Sequence, residues 1–257
     1  MPRYLGQHFL NNPAIVTQIV DSSQIKKDET ILEIGPGEGI LTERLCQEAR
    51  RVIAVELDTK LKTILENKFS QQKNIDLIFE DILKINLPQL LNERKIDKYK
   101  IIANIPYYIT SKIIRLFLET ARQPDELILM VQKEVAQRIV APKGKMSILS
   151  TSVQYYAQAE ILFDVTKDNF NPPPKVDSSV IKISNIKKSD ALADKQFFKV
   201  VRAGFCARRK TLINNLSNSF HLDKKEIEKI ILQINLTPNT RAQELSIDDW
   251  KKLATLF

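Results

Sequence analysis

The chain has 257 residues, 43% hydrophobic and 27% charged, an ordinary globular composition with room for one large and one small domain. No apolar run reaches membrane-spanning length, and Met1-Pro2-Arg3-Tyr4 opens neither a signal peptide nor a transit segment. The two distant cysteines, Cys46 and Cys206, and the two histidines match no zinc or redox spacing, so a reduced cytoplasmic protein without a bound metal is expected. The formal charge is +8, and the chain beyond residue 183 carries 14 basic against 8 acidic residues, which leaves only +2 for everything before it. That asymmetry points to a polyanion such as nucleic acid rather than to a membrane, because no strongly amphipathic basic helix stands out.

In chain order, Asn12-Pro13 reads as a helix start, with asparagine as cap and proline in the first turn; Ile15, Ile19 and Val20 form the apolar face. Thr30–Ile34 is short, β-branched and apolar except for Glu33, the pattern of a buried parallel strand. Gly35, Gly37 and Gly39 follow two apart, and residues 40–45 have helical apolar spacing, so the unit is strand, glycine loop, helix. Glycines there let the backbone turn sharply and approach a ligand with no Cβ in the way. The G-x-G-x-G spacing differs from the dinucleotide fingerprint, and the acid Glu38 in the loop suits a nucleoside without phosphates. A tight turn with no ligand is the plainer alternative. The next strand, Arg51–Val55, ends in Glu56, 21 residues past Gly35, where a carboxylate can accept from both ribose hydroxyls. A lone acid at a strand end is often merely exposed; together, acid and loop point to an adenosine-containing cofactor.

A helix over 60–69 and a third strand over 75–79 follow, with Glu80 and Asp81 at the strand end, where an acid can meet the base of a bound nucleoside. A fourth strand over 99–103 runs into Asn104-Ile105-Pro106-Tyr107. Beyond it come a helix over 111–120, a strand over 127–131, a helix over 133–140, and further elements over 150–156 and 176–183, the last alternating as an edge strand does. Phe170-Asn171-Pro172-Pro173-Pro174 is too stiff for regular structure. After a polar linker over 184–194 the chain reads as four helices, at 195–206, 210–220, 224–233 and 247–256. Asp223 with Glu226 and Ser246 with Asp249 are capping pairs. The expected architecture is a doubly wound α/β domain over 1–183 followed by a small basic helical domain over 184–257.

Asn104 to Tyr107 carries the candidate chemistry. An amine on a nucleobase is a poor nucleophile because its lone pair is delocalised into the ring. The Asn104 side-chain oxygen and the Ile105 carbonyl, exposed at the turn that Pro106 sets, can accept its two hydrogens and draw the nitrogen toward a pyramidal, reactive shape. Tyr107 offers a ring for the base to stack on. The alternative is a plain strand-ending turn. In the tail, Arg208-Arg209-Lys210 lies between two expected helices, with Lys199 and Arg202 before it, as candidate phosphate contacts; a solvated helix face is the alternative.

Eight stretches in this order, GQHFL (6–10), EIGPGEGILT (33–42), VELD (55–58), EDIL (80–83), NIPYYIT (104–110), MVQKEVAQR (130–138), NFNPPPKVDSSV (169–180) and FCARRKTLINNL (205–216), resemble the ribosomal RNA adenine N6,N6-dimethyltransferase family. The branch acting on small-subunit ribosomal RNA is the better match, on Gly6-Gln7-His8 and residues 208–212. The resemblance implies a Rossmann-like class I fold dependent on S-adenosylmethionine, with a helical C-terminal domain that binds RNA. It also implies dimethylation of adenines, two adjacent ones in the 3′-terminal hairpin, within an immature small subunit; a monomer is the default expectation. It places His8, Leu10, Gly35, Gly37, Glu56, Asp81 and Asn104 at the cofactor, and Phe170 as a second aromatic closing on the target base opposite Tyr107. A large-subunit enzyme of the antibiotic-resistance type and a non-catalytic assembly or transcription factor on the same fold are the alternatives. One departure is visible: residues 139–147 form a shorter loop than the family's and lack its Tyr-Gly pair.

Overall fold

A computed structural model describes residues 8–257, which gather into two compact units. The first takes the chain through Ala136 and then Gln158–Ile186; the second takes Gln137–Ala157 and Lys187–Phe257.

The first unit is built on a seven-stranded sheet. Its strands are β2 (Thr30–Ile34), β3 (Arg51–Val55), β4 (Ile75–Ile78), β5 (Lys100–Asn104), β6 (Glu126–Gln132), β7 (Gln158–Val165) and β9 (Ser178–Ser184), in the order β4-β3-β2-β5-β6-β9-β7. A separate two-stranded ribbon pairs β1 (Phe9–Leu10) antiparallel with β8 (Phe170–Asn171). The five strands from β4 to β6 run parallel, as β-branched strands buried on both faces do. Helix α1 (Pro13–Ser23) begins at Asn12, whose side chain accepts from Ala14 N at 2.9 Å. After it come α2 (Ile40–Glu48), α3 (Lys62–Lys68), α4 (Leu87–Glu93) and α5 (Thr110–Glu119), and the chain leaves this unit within α6 (Lys133–Ile139). The chain steps outward from β2 through β3 to β4, then returns to lay β5 on the other side of β2. That reversal opens a crevice beyond the carboxyl ends of β2 and β5.

Two expectations change here. The strand ending in Ile183 is not an edge: β9 lies between β6 and β7, antiparallel to both, and β7, unforeseen, takes the edge. Its outward face is polar at Gln158 and Glu160, whereas β9 is buried through Ser178, Ser179, Val180 and Ile181. The stretch before the prolines is not wholly irregular either, since Phe170 and Asn171 form β8.

The second unit is helical: α7 (Ile148–Tyr156), α8 (Ala191–Gly204), α9 (Leu212–Phe220), α10 (Lys224–Gln233) and α11 (Ile247–Ala254). Both capping pairs form as expected. Trp250 is fully buried, its ring 5.4 Å from that of Phe205. A Cβ on Gly204 would lie 2.4 Å from that indole, so α8 and α11 meet where the side chain is absent. The boundary expected at 183 moves, because residues 137–157 belong to this unit. The Tyr155 ring stacks on Phe197 at 3.9 Å, and the Tyr155 and Tyr156 hydroxyls both donate to the buried Asp194 at 2.9 Å. The short loop is tied down within the same unit: Gly144 N and Met146 N donate to Gln243 O at 3.0 and 3.2 Å.

Candidate nucleoside cleft and basic bend

The cleft lies at the crevice between β2 and β5. Its walls come from four parts of the chain: His8 to Leu10, the end of β2 with the glycine loop and the start of α2, Glu56 after β3, and the turn after β5.

The glycine loop is held by strand register. β2 and β3 pair residue for residue from Thr30 with Arg51 to Ile34 with Val55, so the loop and Glu56 leave the sheet side by side. Gly35 N donates to Val55 O at 2.9 Å. The Glu56 carboxylate is 5% exposed and accepts from Gly37 N at 3.1 Å through Oε2 and from Asp58 N at 2.8 Å through Oε1. Burial pushes its pKa up, and the amides it accepts from oppose the shift. The glycines also serve packing. A Cβ on Gly37 would stand 2.9 Å from the Phe9 ring, and one on Gly39 would stand 2.8 Å from Phe69; both residues have positive φ.

Across the cleft, Asn104 closes β5 opposite Met130 of β6. Its side-chain amide, half-buried at the cleft, makes no hydrogen bond to another described residue. Ile105 is buried and Pro106 lines the cleft. Tyr107 follows, its hydroxyl sharing a 2.7 Å hydrogen bond with Ser178 Oγ of β9, which fixes the ring; burial raises its pKa. His8 donates from Nδ1 to Pro172 O at 2.7 Å and lies near-parallel to Tyr107, 6.2 Å between ring centres.

Seven expected residues therefore meet at one cleft with the turn residues Ile105 and Pro106: His8, Leu10, Gly35, Gly37, Glu56, Asn104 and Tyr107. Two others do not line it. Phe170 is 3% exposed, pairs opposite Leu10 and belongs to the same core cluster as Leu10 and Val165. Asp81 follows β4 and turns its carboxylate to Leu83 N at 3.0 Å, capping the local turn. Gly6 and Gln7, which supported the branch assignment, lie outside the described residues. Sequence reasoning gave no role to Glu33, a buried residue of β2 that is among those lining the cleft. The signal was an acid inside an apolar strand two residues before the first glycine.

The tail cations sit in the second unit. Lys199 and Arg202 lie on the exposed side of α8, with Lys199 Nζ 5.2 Å from the centre of the Phe220 ring. Arg208, Arg209 and Lys210 are exposed in the bend between α8 and α9 and pair with no carboxylate among the described residues. The bend is stiff: Asn215 donates to Gly204 O at 2.6 Å and Ala207 O at 3.1 Å, and Leu212 N donates to Thr240 O at 2.8 Å.

The model of the family described as ribosomal RNA adenine dimethylase matches residues 2–257. A ribosomal RNA small subunit methyltransferase A of Dehalococcoides mccartyi is 40% identical over 255 residues, 98% of this chain and 87% of its own. The protein of the same name from Fusobacterium nucleatum is also 40% identical, covering 98% and 96%. Among solved structures, a dimethyladenosine transferase from Plasmodium falciparum superposes with a TM-score of 0.79 at 27% identity over 96% of each chain. With a cleft of this build and a match along essentially its whole length, the chain belongs to the ribosomal RNA adenine dimethylase family.

Proposed function

We propose that this chain transfers methyl groups from S-adenosylmethionine to the N6 amines of adenines in small-subunit ribosomal RNA. In this reading it dimethylates two adjacent adenines of the 3′-terminal hairpin, in the cytoplasm, as a monomer acting on an immature subunit. The observation that carries it is the convergence of the Glu56-held glycine loop and the turn from Asn104 to Tyr107 on one cleft. The residues fit an adenosyl cofactor: Glu56 has a second lone pair on each oxygen for ribose hydroxyls, and the cleft is lined with acids rather than with phosphate-binding cations. His8, Leu10, Gly35 and Gly37 would hold it beside Glu56, and Asn104 would bridge cofactor and target base. When bound, that cofactor supplies a methyl group already activated by a sulfonium.

The protein's own task is then positioning. Asn104 Oδ1 and the Ile105 carbonyl accept the two amine hydrogens and hold the nitrogen lone pair toward the cofactor side. Tyr107, fixed by Ser178, stacks on an adenine that has left its helix, offsetting an unstacking cost of a few kcal/mol. No buried base is needed, because the amine becomes acidic only once it has been alkylated. The exposed cations of the α8–α9 bend bind phosphates elsewhere on the RNA. The small-subunit relatives favour this substrate over large-subunit RNA. Tritiated-methyl transfer to immature small subunits against large-subunit precursors tests the choice: label confined to the large subunit would overturn it.

A further inference from the structure

Glu33 has no task in the mechanism above. It is 1% exposed yet lines the cleft, and its Oε2 is buried without a hydrogen-bond partner among the described residues. A carboxylate in that position is costly, and burial pushes its pKa from 4.5 up to about 8. The groups around it do not remove the cost. Thr42 on α2 and Lys68 on α3 favour the ionised form, but Lys68 is drawn to Glu43 Oε2 and to Glu38 O, each at 3.2 Å. Glu56 beyond β3 opposes ionisation, and Cys46 on α2 stays a neutral thiol, raised to about 12 by burial and by the charges of Glu33 and Glu43. Around the cleft, His8, Glu38 and Tyr107 are the remaining titratable groups, and Asn104 at the end of β5 brings no charge.

The cleft therefore presents a buried acid that lacks one thing, a cation. S-adenosylmethionine is such a cation: its sulfonium and ammonium outweigh its single carboxylate. Resting on the cofactor reading above, we propose that Glu33 is a cofactor-binding residue that holds a proton in the free protein and releases it as the cofactor's positive charge enters. The O–H bond of the carboxylic acid breaks, its electron pair stays on Glu33 as the carboxylate facing the cofactor, and the proton passes to bulk water; nothing is oxidised or reduced. The coupling makes affinity depend on pH. Because the free protein keeps the proton below about pH 8, the dissociation constant falls up to tenfold per unit between pH 6 and 8 and levels off above it.

The test is calorimetry of S-adenosylmethionine binding at pH 7 in buffers of different ionisation enthalpy, which counts protons directly, on the wild-type chain and Glu33→Gln. The cofactor's own α-amine titrates in the same range and contributes to both proteins. Wild type is expected to release more protons per cofactor than the variant, because Glu33 is mostly protonated at pH 7 in the free protein. Equal proton counts with binding in both proteins would overturn the inference and leave the cofactor reading standing. A wild-type chain that binds no cofactor would overturn that reading, and the inference with it. Difference infrared spectroscopy of the wild-type protein needs no variant: binding should abolish a protonated-carboxyl band, and its persistence in the complex contradicts the proposal.

Discussion

Glu56 accepts from the amide of Gly37 at 3.1 Å and from that of Asp58 at 2.8 Å, one with each oxygen, and so joins the end of β3 to the glycine loop that follows β2. One carboxylate thereby both shapes the loop and faces the cleft. Glu56→Ala removes hydrogen bonds to a charged group and is expected to weaken S-adenosylmethionine binding by about 1.5–3 kcal/mol, with RNA affinity unchanged. Calorimetry showing unaltered cofactor affinity would leave Glu56 a purely structural clamp.

The turn after β5 makes a separable prediction. Asn104→Ala should lower the transfer rate about 10²–10³-fold, by analogy with the loss of a preorganised polar partner in a dry site, while RNA binding holds. Tyr107→Phe keeps the ring and loses only the bond to Ser178, so it should cost less than Tyr107→Ala, which forfeits stacking worth about 1–3 kcal/mol. Single-turnover rates rank the variants; near-normal turnover in Asn104→Ala would rule out its role as acceptor.

How much of this was legible in the sequence follows from how local each signal is. The glycine loop and Glu56 were readable because strand, turn and acid lie within one βαβ unit whose parallel register brings them together, whereas Asn104 joins them through β5, which pairs parallel to β2 on its other side. The strand at Phe170–Asn171 was missed because it depends on a pairing with Leu10, 160 residues earlier, and a two-residue ribbon leaves no periodicity to detect. The edge strand β7 was missed for the opposite reason: its mixed polar and apolar run, half-buried along most of its length, matched neither template cleanly. The placement of α7 with the tail rests on Tyr155 and Tyr156 reaching Asp194, a long-range polar contact that composition does not announce.

Glu33 also leaves a mark on stability. An unfolded glutamate ionises near 4.5, whereas the folded one holds its proton to about 8, so between those values the unfolded chain has lost a proton that the folded chain keeps. This contribution is fully present below 4.5, declines as pH rises through the window by up to about 1.4 kcal/mol per unit, and is gone above the folded value. Denaturant titrations of the cofactor-free protein at pH 5 and pH 8 should show Glu33→Gln gaining on wild type as pH rises. A constant difference between the two would contradict a buried, protonated Glu33.

The basic bend is tested by salt. Changing Arg208, Arg209 and Lys210 together to alanine should flatten the slope of log RNA affinity against log salt by about two units if most of the cluster meets phosphate. Cofactor affinity should not change, because none of the three lines the cleft. An unaltered slope in a normally folded variant would return the cluster to an ordinary solvated surface.

The central claim is chemical, and the product tests it most directly. Small subunits from a strain lacking its own adenine dimethylase would be incubated with this protein and S-adenosylmethionine, and their RNA digested to nucleosides and weighed by mass spectrometry. N6,N6-dimethyladenosine should appear in small-subunit RNA with wild type and fall sharply with Asn104→Ala. Its absence from small-subunit RNA, with a well-folded protein and cofactor bound, would contradict the account.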